Sequence, residues 1–225
     1  MQKNKCDAII LAAGLSKRFK GKTKKQFIKF NNKNLIDLTI NKFQRINNIE
    51  TIHLVLPNEH ITSITSKFKN VSCIEGGSSR IKSVFNALSH LHSTDYPYRN
   101  ILIHDIVRPC VDESDIIKLI NLGNKNKTGI CLGYPITNAL KLVNMNIIKS
   151  NINREKLWST FTPQIFNFLK LFDSYKYIIK NKITIDDEAE AMTIQSHKIK
   201  ILLSSPGNIK LTYKEDLSSI KKLLK

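Results

Sequence analysis

Short apolar runs recur along the 225-residue chain, and most of them are followed by a stretch with helical spacing. The first run covers residues 8–13 and ends at Gly14, which is typical of a strand buried on both faces of a parallel sheet. The pattern predicts further strands at 52–56, 72–74, 101–103, 130–132 and 199–203. It predicts helices at 34–47, 60–69, 80–92, 113–121 and 163–180. Because strands and helices alternate, we expect an α/β protein with a mostly parallel sheet and right-handed crossovers.

The segment 136–158 breaks this rhythm, because polar and apolar residues alternate in it without a helical period. This pattern predicts a β-hairpin arm that projects from the sheet. A hairpin alone in water is marginally stable, so its apolar residues need another surface, and a second copy of the arm is the simplest one. We therefore expect a homodimer. The chain shows no internal repeat and no Pro/Gly-rich linker, so residues 1–225 are expected to form one domain that includes the arm.

The composition, with 41% hydrophobic and 24% charged residues, is that of an ordinary globular protein. No apolar run approaches the roughly 18 residues of a membrane span, and the first residues do not resemble a secretory signal. We expect a cytoplasmic protein without a membrane partner. Four cysteines lie far apart, with no Cys-x-x-Cys pair and no histidine at metal-ligand spacing, which argues against a zinc site or a disulfide framework.

The chain is strongly basic, since 36 Lys and Arg against 18 Asp and Glu give a net charge of +18. A field of this sign attracts anions, whether nucleic acid, acidic membrane or small phosphates. The basic residues are spread along the whole chain, without a basic tail and without interleaved aromatic residues for base stacking. This distribution favours a solvated lysine-rich surface, and no nucleic-acid partner is expected.

The loop after the first predicted strand has the highest density of candidate functional residues. Its position is suitable for a site, because ligands of open α/β sheets bind beyond the carboxyl ends of strands. Small residues at 12–14 precede a run of cations up to Lys25, which predicts a phosphate cradle. A P-loop is excluded because Ser16 stands where that motif needs its first glycine, and the Gly-x-Gly-x-x-Gly fingerprint is absent. The alternative is a flexible basic surface turn.

A carboxylate and a guanidinium follow the strand at 101–103, namely Asp105 and Arg108. A carboxylate at this position can bind Mg²⁺, which takes one or two protein carboxylates and completes its shell with substrate phosphates and water. The alternative is a structural ion pair between Asp105 and Arg108. His104, between the strand and Asp105, is expected to be a hydrogen-bonded core histidine.

Paired glycines open the predicted helix at 80–92. Gly76 and Gly77 allow close backbone approach to a flat base, and Ser83 could hydrogen-bond that base. The alternative is a plain helix cap, because Ser and Gly are common at helix starts.

Six motifs occur in order between residues 8 and 217. They are Ala-Ala-Gly-x-Ser-x-Arg (12–18) with Lys-Gln (25–26), Gly-Gly-x-x-Arg-x-x-Ser (76–83), His-Asp-x-x-Arg-Pro-Cys (104–110), Arg-x-x-Leu-Trp-x-x-x-Thr-Pro-Gln (154–164), Asp-Glu-Ala (187–189) and Asn-Ile-Lys-Leu-Thr-x-x-Glu-Asp-Leu (208–217). Together they resemble the 2-C-methyl-D-erythritol 4-phosphate cytidylyltransferases of non-mevalonate isoprenoid biosynthesis. Leu11-Ala12-Ala13-Gly14 and Leu157-Trp158 are more similar to this family than to the ribitol 5-phosphate cytidylyltransferases, whose first loop usually reads Ala-Gly-Gly.

The resemblance implies a Rossmann-like nucleotidyltransferase domain that dimerises through the hairpin arm. It implies cytidylyl transfer from CTP, with Mg²⁺ as the divalent cation, to give 4-diphosphocytidyl-2-C-methyl-D-erythritol and pyrophosphate. The implied site residues are Arg18 and Lys25 for catalysis, Ala13, Gly14, Gly77 and Ser83 for CTP, Asp105 for the metal, and Arg108, Lys210 and, from the partner's arm, Arg154 and Thr162 for the polyol phosphate.

Three positions depart from the family pattern. Asn138-Ala139 stands where the family often has Asp-Thr, which removes a threonine that could donate to the substrate phosphate. Ser78 and Gly207 occupy positions where acidic residues are common, which removes candidates for a second metal-site carboxylate. Two alternatives stay open: a cytidylyltransferase for another polyol phosphate such as ribitol 5-phosphate, and a catalytically silent nucleotide- or nucleic-acid-binding protein, which would explain the net charge of +18.

Overall fold

The computed structural model describes residues 5–14, 19, 24–30, 32–65, 67–94, 96, 99–125 and 129–224. The strands in these ranges are β1 (Cys6–Leu11), β2 (Lys29–Phe30), β3 (Lys33–Asn34), β4 (Ile49–Leu56), β5 (Val71–Glu75), β6 (Asn100–Asp105), β7 (Gly129–Pro135), β8 (Leu140–Asn144), β9 (Ile147–Ile152), β10 (Trp158–Asn167) and β11 (Ile199–Leu203). The helices are α1 (Leu35–Gln44), α2 (Ile61–Thr65), α3 (Arg80–Ser93), α4 (Glu113–Lys125), α5 (Phe168–Lys180), α6 (Glu188–Ile194) and α7 (Asp216–Leu223). Single 3₁₀ turns lie at Lys25–Phe27 and Asn58–His60.

The central sheet has seven strands in the order β11-β7-β10-β6-β1-β4-β5. All neighbouring pairs are parallel except those made by β10, which runs antiparallel to both β6 and β7. The expected α/β class with a mostly parallel sheet is therefore confirmed. None of the described helices is long and apolar enough to cross a membrane.

Helices cover both faces of the sheet, and the pleat of β1 shows how the core is divided. Ala8 and Ile10 point to a cluster built with α1 and α4, whereas Ile9 and Leu11 point to a cluster built with α3, α5 and α6. Because both faces of the strand are buried, its sequence is an unbroken apolar run. A third, smaller cluster packs α7 and Leu211 against Phe19 and Phe30, and so joins the end of the chain to the loop after β1.

The prediction of a helix over 163–180 is wrong in its first part. Residues up to Asn167 belong to β10, and α5 begins at Phe168 after its N-cap Asn167, whose side chain accepts from the backbone N–H of Lys170. Because β10 is buried between two neighbouring strands, its apolar residues do not alternate with polar ones, and such a run cannot be distinguished from the start of a buried helix by periodicity. The pattern also did not reveal α6 or α7.

The segment 136–158 contains the expected β-hairpin, formed by β8 and β9. Its two-residue turn, Met145-Asn146, has φ angles of 48° and 62°. Positive φ at both central residues is the requirement of the type I′ turn that favours tight hairpins. The hairpin is a separate two-stranded sheet, and its strands are largely exposed in the single chain.

Candidate active site

A pocket of about 400 Å³ opens where β1 and β6 end. The chain proceeds from β1 to β4 and β5 on one side of the sheet and then crosses to β6 on the other, so the order of strands reverses at this point. Ligands of open α/β sheets bind at such a switch point. The residues that line the pocket are Leu11, Ala12, Ala13, Gly14, Lys25, Gln26, Gly77, Ser78, Ser79, Arg80, Ser83, Asp105, Ile106, Val107 and Lys210.

The glycine loop before α3 forms one wall. A Cβ atom on Gly77 would lie 2.4 Å from the Cβ of Lys82, so only glycine fits there. The Ser83 hydroxyl accepts from the backbone N–H of Gly77 at 3.0 Å and donates to the carbonyl of Ser79 at 2.8 Å. Ser79 caps α3 by accepting from the backbone N–H of Lys82. The segment is therefore both a helix cap, at Ser79, and a pocket wall, at Gly77 and Ser83.

The end of β1 forms the opposite wall with Ala13 and Gly14. A Cβ atom on Gly14 would meet no described atom within 4 Å, so packing of the described chain does not require glycine there and the space beside it is open to a ligand. The predicted catalytic residue Arg18 lies outside the described residues.

Lys25 is buried and enters the pocket from the 3₁₀ turn. Its ammonium group donates to the carbonyl oxygens of Leu211 at 2.8 Å and Thr212 at 2.9 Å, and lies 5.5 Å from the ring centre of Phe19. Lys25 therefore clamps the segment that also carries Lys210. Sequence reasoning placed Lys25 in the site but could not predict this clamp, because the partners are backbone atoms far along the chain.

Asp105 stands at the end of β6, buried, with two cationic neighbours. Its Oδ1 accepts from Arg80 Nε at 3.1 Å, and its Oδ2 accepts from Lys210 Nζ at 2.8 Å. Burial alone would raise the pKa of Asp105, but the charges of Arg80 and Lys210 outweigh it and lower the pKa below its usual range. The proposed alternative of an ion pair with Arg108 is wrong, because Asp105 pairs with Arg80 and Lys210 instead.

Arg80, Tyr175 and Glu188 extend this network into the interior. Arg80 donates from Nη1 and Nη2 to the two carboxylate oxygens of Glu188 at 2.7 and 2.9 Å, and the Tyr175 hydroxyl donates to Glu188 at 2.8 Å. Glu188 is fully buried. Sequence reasoning quoted Arg80 and Glu188 within motifs but assigned neither to the site. A motif considered alone does not reveal that one of its residues forms an ion pair with a residue of another motif, 108 positions away.

Arg108 lies beside the pocket rather than in its wall. It donates to the carbonyl oxygen of Asn208 at 2.8 Å, and its guanidinium carbon lies 5.4 Å from the ring centre of Phe161. The Asn208 side chain donates to the carbonyl oxygen of Thr162 at 2.9 Å. Asn208, which sequence reasoning did not select as a site residue, therefore holds two of the predicted polyol-phosphate residues in place.

The structure corrects the placement of Thr162, which was expected to reach a neighbouring copy from the arm. Thr162 is buried in β10 of the central sheet, and its hydroxyl accepts from the backbone N–H of Asp105 of the same chain at 3.0 Å. Thr162 therefore belongs to the central sheet and not to the arm. Arg154 follows β9, is exposed and does not line the pocket of its own chain.

His104 is a core histidine, but the expected hydrogen bonds are missing. Neither ring nitrogen has a hydrogen bond of normal geometry to a described residue, and the ring packs on Phe43 with centroids 4.9 Å apart. Burial lowers the pKa of His104 to about 3, so the ring is neutral at physiological pH. The four cysteines are free, and burial raises the pKa of Cys6 to about 12, so that thiol stays protonated.

The pocket meets the requirements of a divalent cation that shares its ligands with a nucleotide. Asp105 is the acidic residue among the described lining residues, and no group of three or more His, Cys, Asp or Glu side chains that could hold a metal lies elsewhere in the described ranges. Mg²⁺ needs only one or two protein carboxylates. Each oxygen of Asp105 accepts one hydrogen bond and keeps a further lone pair, so its carboxylate can still bind a metal.

The site combines a glycine loop, several cations and one ionised carboxylate at the switch point of an α/β sheet. These groups provide what phosphoryl-group chemistry needs, and this fold and site are those of a nucleotidyltransferase. The family model of 2-C-methyl-D-erythritol 4-phosphate cytidylyltransferase matches residues 6–225. The chain belongs to this family.

Individual relatives agree with this assignment. The chain is 35% identical over 216 residues to 2-C-methyl-D-erythritol 4-phosphate cytidylyltransferase of Buchnera aphidicola subsp. Acyrthosiphon pisum, covering 93% of this chain and 89% of the relative. It is 34% identical to the enzyme of the same name from Wigglesworthia glossinidia brevipalpis, over 93% of this chain and 91% of the relative. The crystal structure of the enzyme of that name from Francisella tularensis superimposes with a TM-score of 0.83 at 26% identity, covering 97% of this chain and 99% of that one.

Proposed function

We propose that this chain transfers the cytidylyl group of CTP to 2-C-methyl-D-erythritol 4-phosphate and releases pyrophosphate, as a step of isoprenoid biosynthesis. The observation that carries the proposal is the gathering of Lys25, Arg80, Lys210 and Asp105 around one pocket in a chain of this family. Both substrates are anions, so the protein must offset their repulsion and hold the geometry of attack, which preorganised cations do well.

In the proposed reaction an oxygen of the polyol phosphate attacks the α-phosphorus of CTP. A new O–P bond forms while the bond from the α-phosphorus to the bridging oxygen breaks, and the bond electrons leave with pyrophosphate. Lys25 and Arg18 would stabilise the negative charge that builds on the phosphoryl oxygens. Lys25 is preorganised for this role by its clamp to Leu211 and Thr212, so little reorganisation accompanies the reaction.

CTP would bind against Ala13, Gly14, Gly77 and Ser83, where the walls are small and the backbone can approach the nucleotide. A divalent cation, which we propose to be Mg²⁺, would be held by Asp105 and would screen the phosphate charges. The polyol phosphate would bind at Arg108 and Lys210, which are held by Asn208 and Asp105, respectively.

We further propose that the chain acts as one domain and as a homodimer joined through the arm. Leu142, Val143, Ile147 and Ile148 each expose more than half of their area in the single chain, between 52% and 60%, and Met145 exposes 89%. Large apolar residues exposed together on one hairpin usually mark an interface. Arg154 follows this hairpin and would complete the polyol-phosphate site of the neighbouring subunit, which explains why it lies away from its own pocket.

The test is a pyrophosphate-release assay with each of the four nucleoside triphosphates and a panel of polyol phosphates. We expect release with CTP and 2-C-methyl-D-erythritol 4-phosphate, and at least tenfold lower kcat/KM for the other combinations. Release with ribitol 5-phosphate but not with 2-C-methyl-D-erythritol 4-phosphate would show that ribitol 5-phosphate is the acceptor. Such a result would agree with Asn138-Ala139 in the loop before β8, where the family often has Asp-Thr. Binding of CTP without any release would show a silent nucleotide-binding protein.

A further inference from the structure

A continuous set of ion pairs runs from the buried interior into the pocket. It begins at Glu188, at the start of α6, continues through Arg80, at the start of α3, and ends at Asp105 and Lys210. Glu188 is completely buried, whereas the Arg80 side chain keeps 28% of its area exposed and lines the pocket. The carboxylate is therefore inaccessible to a ligand, but the guanidinium that it holds is not.

Glu188 binds Arg80 through both terminal nitrogens, at 2.7 and 2.9 Å. This bidentate arrangement is the strongest geometry for an ion pair between an arginine and a carboxylate, and it fixes the plane of the guanidinium. Of the N–H groups that remain, Arg80 uses the one on Nε to contact Asp105 at 3.1 Å. Burial lowers the pKa of Arg80, but the charges of Glu188 and then Asp105 outweigh this effect and raise it well above its usual value, so Arg80 stays charged.

We propose that Glu188 is a positioning residue for nucleotide and metal binding, acting through Arg80. By binding both terminal nitrogens, Glu188 offsets the charge of a cation in the pocket wall and fixes the orientation of its guanidinium. It also holds Arg80 in an orientation in which Nε makes the contact with Asp105, which leaves that carboxylate able to hold a divalent cation. The inference rests on the proposed function, because it concerns the binding of CTP and metal in the same pocket.

The charges of the wall predict opposite effects on the two ligands. Among the described lining residues, Lys25, Arg80 and Lys210 are cationic and Asp105 is anionic, and Glu188 behind the wall offsets the charge of Arg80. Loss of the Glu188 charge would make the pocket more positive by one unit. The triphosphate would then bind more tightly when no metal is present, while a divalent cation would bind more weakly next to Asp105. A purely structural role predicts weaker binding of both.

The experiment compares Glu188→Gln with the intact chain. CTP binding is measured by calorimetry in EDTA, and Mn²⁺ binding to the CTP complex is measured by electron paramagnetic resonance. We expect CTP to bind about tenfold more tightly in EDTA and Mn²⁺ to bind about tenfold more weakly, which is the size expected for one charge a few ångströms away in a partly hydrated site. Tyr175→Phe is the matched control, since it removes a hydrogen bond to the same carboxylate but leaves both contacts with Arg80. Its affinities should stay within twofold.

A second comparison keeps the test decisive if Glu188→Gln folds poorly. Arg80→Met/Glu188→Gln removes the paired cation and anion together, so the charge of the pocket equals that of the intact chain and both affinities should lie within threefold of the intact chain's. A larger difference would overturn the inference, as would a Glu188→Gln variant that binds both ligands more weakly or binds both unchanged. If the unaltered chain does not bind CTP at all, the proposed function fails as well, whereas CTP binding with an indifferent Glu188→Gln refutes only the role of Glu188.

Discussion

The ammonium group of Lys210 lies 2.8 Å from Oδ2 of Asp105, although the two residues are separated by 105 positions in the chain. This contact joins the end of β6 to the segment before α7, and Lys25 clamps the same segment through the carbonyls of Leu211 and Thr212. One loop therefore carries a cation into the pocket and is itself held by another cation of the pocket.

Asp105→Asn should weaken the dependence on divalent cations, because an amide keeps the shape of the carboxylate but not the charge that attracts a metal. We expect the Mg²⁺ concentration for half-maximal pyrophosphate release to rise about tenfold or more, as one charge is lost at close range. Asp115→Asn is the control, since Asp115 is also buried and accepts from Ser204 but does not line the pocket. An unchanged Mg²⁺ titration would show that Asp105 only orders Arg80 and Lys210.

Lys25→Met should lower kcat/KM about 100- to 1,000-fold, the usual loss when one well-placed transition-state donor is removed. The variant will also be less stable, because two carbonyls lose their partner. Lys42→Met is the control that separates the loss of activity from the loss of stability. Lys42 also donates to two carbonyl oxygens, those of Pro109 and Val111, but it does not line the pocket.

The two lysine variants should therefore show similar falls in melting temperature, while Lys42→Met keeps its activity within about threefold. Equal activity losses in both would indicate that Lys25 serves stability alone. On the strength of the family resemblance, we expect Arg18→Ala to lose activity as Lys25→Met does.

His104 should make the folded chain less stable in mild acid. Its pKa is about 3 in the folded state, against about 6.5 in an unfolded chain, so between these values the unfolded state binds more protons. The contribution of His104 to the free energy of unfolding is therefore at its maximum above pH 6.5. It falls as the pH drops toward 3, by at most about 1.4 kcal/mol per pH unit. Asp105, whose folded pKa is lowered, adds a further loss only below about pH 4.

His104→Leu should remove most of this slope between pH 6 and 4.5, since leucine fills a similar volume and neither ring nitrogen makes a hydrogen bond of normal geometry to a described residue. Urea unfolding at a series of pH values, without nucleotide or metal, measures the effect. A slope equal to that of the unaltered chain would mean that other groups cause the acid sensitivity.

The shared-site arrangement predicts that two inactive variants restore activity when mixed. In a heterodimer of Arg154→Ala and Lys25→Met, one site keeps both residues and the other has neither. Random exchange of subunits makes half of the dimers mixed, so about a quarter of the normal activity should return. Subunit exchange is followed by native mass spectrometry, with each variant alone as the control. A mixture that exchanges but stays inactive would place Arg154 outside the neighbouring site.

Much of the site could be predicted from the sequence because its residues follow apolar runs. The ends of β1 and β6 and the start of α3 supply Gly14, Asp105, Gly77 and Ser83, and all four line one pocket. Local patterns succeed here because a parallel sheet brings the carboxyl ends of its strands to one edge. Position along the chain was a poorer guide for Thr162, which lies next to the arm in sequence but in the central sheet in space.

The sequence by itself determined the α/β class, the hairpin arm and the family, since these depend on periodicity and on the order of motifs. Only the tertiary structure decided that β10 runs antiparallel as a strand, that Asp105 pairs with Arg80 and Lys210 rather than with Arg108, and that Glu188 lies behind Arg80. The physical reason is that a buried charge takes whichever partner the packed elements bring within hydrogen-bond distance. Here those partners lie 25, 105 and 108 residues apart in the chain, beyond the reach of any local pattern.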